Sequence, residues 1–355
     1  MTETFDAYIE RTRDLMPASL PEAVVEQRLP FETGPADATR NALLIHGLLD
    51  TPFVMRDIAR RLDGYRSRAI LLPGHGTVPD DMLRVDYRDW IAATRDGVES
   101  FGAGEPPVLV GFSTGAGLAL HYALSAPVRA LVLISPGVRA RNSKAWATCW
   151  VKHLGLVSRR FAWASTMPDD DTVKYESFAW NAACQFYLLT RALAKAAATG
   201  RLTAPVFIAV SADDATIDAD AALRFFESHA PEGSRLIWYA KRPEPPSADP
   251  RIEVRTSAYP KQRILDFAHV GLANAPDNPH YGADGDYVNC LHYRGDEPAW
   301  AACRAPDNRA VWYGEVSEAN LEKAKREGCV LRRLTYNPDF DGMMDAVSEF
   351  LEGVA

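Results

Sequence analysis

The feature that most constrains this chain is a series of short apolar runs, most of them ending in Gly or Ser, separated by helix-compatible sequence. They are ALLIHG (42–47), AILLPG (69–74), PVLVGFS (107–113), ALVLIS (130–135), PVFIAVS (205–211) and RLIWYA (235–240). Runs with no polar alternation suit strands covered on both faces, the habit of a parallel sheet. Between the runs the period changes. Trp90, Thr94, Val98 and Phe101 fall at i, i+4, i+8 and i+11 behind a capping Asp86, and VMRDIARRL (54–62) starts just after Asp50-Thr51-Pro52. Strand and helix in alternation predict an α/β fold, with a doubly wound, mostly parallel sheet.

Two segments interrupt the alternation. Residues 137–203 hold no convincing strand but many aromatics, among them Trp146, Trp150, Phe161, Trp163, Phe178 and Trp180, on helix-compatible sequence. This predicts a helical cap (137–203) inserted into a core formed by residues 1–136 and 204–355. The Pro-rich KRPEPPSADPR (241–251) predicts an exposed loop. Residues 276–314, with PDNPHYGADGD and RAPDN, read as loop-rich, whereas SEANLEKAKREG and FDGMMDAVSEFL read as terminal helices.

Composition bears on the partner. With 47% hydrophobic residues, the 355-residue chain can bury a large core. A net charge of -8 argues against a phosphate backbone or an anionic membrane surface, both of which reward clustered Lys and Arg. No nucleic-acid partner is expected, and a small molecule is. MTETFDAYIE lacks the basic and apolar regions of a signal peptide, and no run reaches the ~20 apolar residues of a membrane span, so no stable membrane insertion is expected. Five scattered cysteines without a C-x-x-C pair predict reduced thiols and a cytoplasmic setting. A zinc site from Cys290, His292 and Cys303 would match no common structural spacing.

The chemistry gathers around PPVLVGFSTGAGLALHYAL, which reads as strand, G-x-S-x-G, helix. The pattern needs Gly111 and Gly115 because a serine on so tight a turn brings neighbouring backbone too close for a Cβ. Ser113 is thus the candidate nucleophile, at a helix N-terminus whose dipole favours a developing oxyanion. Oxyanion donors are expected in the backbone amides of Thr114, next to the serine, and of Leu48 in the loop IHGLLDTP. His46 reads as a structural histidine closing a strand, and His75 as a loop-fixing one. A serine hydroxyl needs a histidine to take its proton, and the histidine needs a carboxylate to hold its tautomer. SADDATIDAD offers Asp213, Asp214, Asp218 and Asp220; the first two stand at the strand end, the others at a helix start. Of the later histidines, His229 ends a helix, and His280 and His292 lie in loop-rich sequence. His269, in RILDFAHVGLANAP at the start of a loop after an apolar run, is the candidate base.

With IHGLLDTP, LPGHGTVPDDM, GFSTGAG, SADDATID and DFAHVGL in this order, residues ~40–275 resemble the α/β-hydrolase superfamily, and more narrowly bacterial carboxylesterases and monoacylglycerol lipases with a small helical cap. The resemblance implies a Ser-Asp-His order and a G-x-x-D acid pattern; with Ser211 in place of the Gly, that spacing selects Asp214. It further implies hydrolysis of a small-molecule ester, of short or medium acyl length or monoacylglycerol-like, through an acyl-enzyme with neither metal nor organic cofactor. Two other readings remain: amide or peptide hydrolysis by the same triad, to which Asp169-Asp170-Asp171 in the cap would offer an amine-binding cluster, and a hydrolase fold used only for binding.

Overall fold

All six apolar runs form strands of one sheet in the computed structural model, which describes residues 4–305 and 310–354. The opening tripeptide of the N-terminal reading and residues 306–309 of the predicted 276–314 loop region lie outside the described residues. In chain order the strands are β1 (Phe31–Thr33), β2 (Arg40–Ile45), β3 (Tyr65–Ile70), β4 (Val108–Phe112), β5 (Leu131–Ile134), β6 (Trp163–Ser165), β7 (Phe178–Ala179), β8 (Val206–Ser211), β9 (Arg235–Ala240), β10 (Ile252–Thr256), β11 (Val311–Gly314) and β12 (Val330–Arg333). The main sheet runs β1-β3-β2-β4-β5-β8-β9-β10. Its β1 is antiparallel to β3, and every other pairing is parallel.

Successive residues of a strand point to opposite faces, so an apolar run fills two cores at once. Leu43 and Ile45 of β2, with Leu131 and Leu133 of β5, enter one core, under the helices Tyr87–Glu99, Thr114–Ala123, Trp180–Thr199 and Ala219–His229. Ala42, Leu44, Val132 and Ile134 enter the other, under Met55 and Ile58 and the C-terminal helix Phe340–Gly353. Asp86 and Asp218 cap their helices, accepting N–H bonds from Arg88 and Ala221. Segment 137–203 differs in detail from an all-helical insertion. It opens with short turns between Ala145 and Ala162, contains the antiparallel β6–β7 pair, and ends in the helix Trp180–Thr199, which packs on the helices Thr114–Ala123 and Tyr87–Glu99.

The cysteine expectation is overturned. Cys149 pairs with Cys184 and Cys290 with Cys303, leaving Cys329 free. The pairs form because the fold brings their Cα atoms to 4.7 and 6.1 Å, which spacing along the chain does not reveal. The thiol argument for a cytosolic setting falls with it. The second bridge also consumes both cysteines of the zinc arrangement.

The parallel β11–β12 ladder is joined by the helix Glu318–Arg326, and docks through Tyr313 on the segment that leads into His269, with Leu265 N–H donating to Tyr313 O (2.8 Å). Ahead of it, loop 276–287 is fastened to Asp171 and Glu176 of segment 137–203. His280, in loop-rich sequence, is buried; its Nε2 and Nδ1 meet Asp171 (3.0 Å) and Asp286 (2.5 Å). Tyr281 donates to Asp171 (2.8 Å) and Tyr287 to Glu176 (2.7 Å). Burial alone would lower the His280 pKa, but the bonds and charges of Asp171 and Asp286 outweigh it and raise it.

Two outcomes are expected. Thiol titration of the denatured, unreduced protein finds one thiol per chain and five after reduction, and replacing Cys149 and Cys184 by Ser costs about 3–4 kcal/mol in denaturant unfolding. Because His280 binds its proton more tightly in the folded state, its contribution is complete below pH ~6.5 and is lost as pH rises through the elevated folded value. Denaturation midpoints measured across that range fall for the native chain and stay flatter for His280→Asn.

Candidate active site

The sequence V-G-F-S-T-G ends β4 at Phe112 and starts the helix Thr114–Ala123 one residue after Ser113. Ser113 therefore has to reverse the chain, and does so at φ 53° and ψ -113°. A residue with a Cβ seldom adopts this conformation, at a cost of about 1–3 kcal/mol. Packing holds it there. A Cβ on Gly111 would stand 2.4 Å from Cα of Ala116, and one on Gly115 would stand 2.0 Å from the carbonyl oxygen of Ile45. Neither glycine is replaceable while the helix lies this close to β2 and β4. The Ser113 N–H donates to Ile134 O (2.9 Å), which ties the turn to β5.

At this crest the three residues singled out from the sequence meet. His269 Nδ1–H donates to Asp214 Oδ2 (2.6 Å), leaving Nε2 as acceptor for the Ser113 hydroxyl (2.9 Å). All three are buried. Asp214 stands in the turn after β8; its Oδ1 accepts N–H bonds from Thr216 (2.8 Å) and Ile217 (2.9 Å), and Arg141 donates to its main-chain carbonyl (2.8 Å). Its neighbour Asp213 turns away to pair with Lys241 (3.2 Å). The other histidines are elsewhere. His46 Nε2 accepts the Leu72 N–H, and burial pushes its pKa down to about 4, so it is a neutral structural group, packed edge-on to His75. His229 closes the helix Ala219–His229.

Leu48 and Thr114, the expected oxyanion donors, lie in different elements. Thr114 is the first residue of its helix, where an N–H has no intrahelical acceptor. Leu48 lies in a turn whose next residue, Leu49, has φ 69°. This turn is pinned from outside: Tyr175 N–H donates to Leu49 O (3.0 Å), Thr51 to Val173 O (2.8 Å), and Lys174 pairs with Asp50 (3.1 Å). Among the described residues, neither amide meets an acceptor within the chain.

Two further residues belong to the site without any motif to mark them. Glu315, in the turn after β11, is fully buried and accepts the His269 main-chain N–H (3.0 Å). Arg333, closing β12, donates to it from Nε (2.7 Å) and a terminal nitrogen (3.0 Å). Burial would raise the Glu315 carboxyl, but Arg333 and the amides of His269 and Val316 hold it down to about 2. By contrast, a cleft of about 890 Å³ between the helices Phe5–Asp14 and Tyr87–Glu99 holds none of these groups.

A hydroxyl aligned on an imidazole, itself held by a buried carboxylate, is arranged to move a proton along one line. Comparison with known proteins finds several to which this chain is similar. A thermostable monoacylglycerol lipase from Bacillus sp. (strain H-257) is 39% identical over 72 residues, which are 19% of this chain and 27% of that enzyme, so the match spans about a quarter of the relative. Among solved structures, the monoacylglycerol lipase of Paleococcus ferrophilus is 16% identical, with a TM-score of 0.46 over 59% of this chain and 88% of the other. A soluble variant of monoglyceride lipase from Saccharomyces cerevisiae, in complex with a substrate analog, is 18% identical, with a TM-score of 0.46 over 60% and 81%. The model of the alpha/beta hydrolase family matches residues 42–239, more than half of the 355-residue chain, and to that family the chain belongs.

Proposed function

We propose that this chain is a serine hydrolase that cleaves carboxylic esters through an acyl-enzyme. The observation that carries the reading is the buried, unbroken run of hydrogen bonds from Ser113 through His269 to Asp214. In it Ser113 attacks the ester carbonyl while His269 takes its proton, and Asp214 holds the imidazole in the tautomer that leaves Nε2 free and stabilises the imidazolium as it forms. The amides of Leu48 and Thr114 receive the oxyanion. His269 then protonates the departing alcohol, and water repeats the sequence on the acyl-enzyme. Every step draws on groups of this chain and on water.

The substrate reading is an ester of short or medium acyl length, or a monoacylglycerol-like lipid. Six of the eight large apolar side chains that stand exposed among the described residues lie in 146–161: Trp146, Trp150, Leu154, Leu156, Val157 and Phe161. An apolar surface of this extent facing water fits a partner that carries a hydrocarbon chain. It also narrows the proposed cap to residues 137–179, since the helix Trp180–Thr199 covers the sheet. The name of the similar Bacillus lipase points the same way.

Amide hydrolysis loses its one specific support. Asp169 accepts the N–H groups of Glu176 and Ser177, Asp170 pairs with Arg304, and Asp171 is shared by Tyr281 and His280, so this acidic run is engaged within the chain. A fold used only for binding would leave the strained Ser113 backbone and its proton relay without a purpose.

The test is a panel of esters of increasing acyl length beside matched amides. Ser113→Ala and Asp214→Asn are each expected to lower kcat by ~10⁴-fold or more with unchanged circular dichroism. Full activity in Ser113→Ala removes the mechanism, and turnover of amides alone moves the enzyme to the other substrate class.

A further inference from the structure

We propose that Glu315 and Arg333 are a positioning pair for the proposed triad, fixing the two loops that carry acid and base and balancing the electric field between them. The inference rests on the ester-hydrolase reading for its activity test but not for its geometry.

The pair touches both loops at once. Glu315 Oε2 accepts the main-chain N–H of His269 (3.0 Å) and, more weakly, that of Ala215 (3.4 Å). Arg333 reaches from the same pair to the Thr216 hydroxyl (3.1 Å). Ala215 and Thr216 directly follow Asp214. Beside the His269–Asp214 bond, the Ser211 hydroxyl on Phe267 O (2.8 Å) and Lys241 between Asp213 and Asp266, this ion pair links the backbone that presents the base to the backbone that presents the acid. It is anchored in turn from the β11–β12 ladder: the Glu315 N–H donates to Asp266 (2.5 Å), and Asp266 is held by Lys241 (2.7 Å) and Asn320 (2.7 Å).

Charge gives the pair a second role. Arg333 feels the negative charge of Asp214 as well as that of Glu315; together they outweigh burial and raise its pKa. Acting alone, a half-buried cation in that place would oppose the stabilisation that Asp214 gives an imidazolium. Glu315, bonded to the histidine's own amide, offsets it. Two unlike charges so placed leave the imidazole with the carboxylate of Asp214 as its dominant partner. Other ionisable groups face this region. Arg141 binds the Asp214 carbonyl, Lys241 lies between Asp213 and Asp266, and Tyr287 and His292 stand near Arg333. Burial pushes His292 down to about 4 and Tyr287 up, while its carboxylate partners raise Lys241 against burial, so these three keep one charge state while an imidazole titrates.

The experiment measures the pH dependence of kcat/KM for a p-nitrophenyl ester in Glu315→Gln, Arg333→Gln and the double variant, with Ser113→Ala run beside them. A second readout is the far-downfield proton NMR signal of His269 Nδ1–H, titrated in the Ser113→Ala background, where no turnover is needed. Glu315→Gln leaves the cation uncompensated, and the acid limb moves to lower pH by about one unit; Arg333→Gln leaves the anion, and the limb moves up by about the same. The double variant returns near the native profile, while Glu315→Asp keeps the limb and loses kcat several-fold. Limbs that stay put, or move in the same direction, in folded variants overturn the proposal. If Arg333→Gln does not fold, the sign of the Glu315→Gln shift decides alone. Activity surviving in Ser113→Ala defeats the hydrolase reading instead, and the imidazole titration still judges the pair.

Discussion

The backbone of Ser113 stands in a conformation that a residue with a side chain resists, and three contacts hold it there. The central strand β4 delivers the chain to the carboxyl end of the sheet, Gly111 and Gly115 let the following helix press against β4 and β2, and the Ser113 N–H is tied to β5. The local strain is of the order of 1–3 kcal/mol, small beside the burial of the helix, whose residues from Thr114 to Leu120 are all buried. Strain at the crest thus persists because the sheet and helix beneath it cannot relax separately. The same geometry lifts the hydroxyl toward His269 and places the first amide of the helix beside it.

Much of the architecture is legible in the residues because it follows from local pattern. Unalternating runs such as ALLIHG and PVFIAVS can satisfy two apolar faces only in a covered strand, and each forms one. G-x-S-x-G is legible for a steric reason, and the Asp213–Asp214 pair is separated only by where each side chain goes in three dimensions: one to Lys241, the other to His269. The edge strands β1 and β10 are harder to read, since a short strand with one exposed side carries little apolar signal.

What stays hidden is pairing between distant segments. Glu315 and Arg333 sit in sequence with no motif, and their meaning depends on a ladder that docks beside residue 265. The two cysteine bridges depend likewise on closeness in space. His280 looked like a loop residue because nothing local announces that Asp171, more than a hundred positions away, would face it. A loop rich in Gly, Pro and Asp is therefore not the same as a surface loop. Here it forms a buried polar fastening between the C-terminal region and the segment that pins the Leu48 turn.

The region matched by the family ends at residue 239, whereas the imidazole of the relay is at 269 and its brace at 315 and 333. The matched region carries the proposed nucleophile, both candidate amides and the proposed acid, but not His269. In the proposed mechanism, substitutions in the C-terminal third would act on the base while leaving the matched scaffold intact.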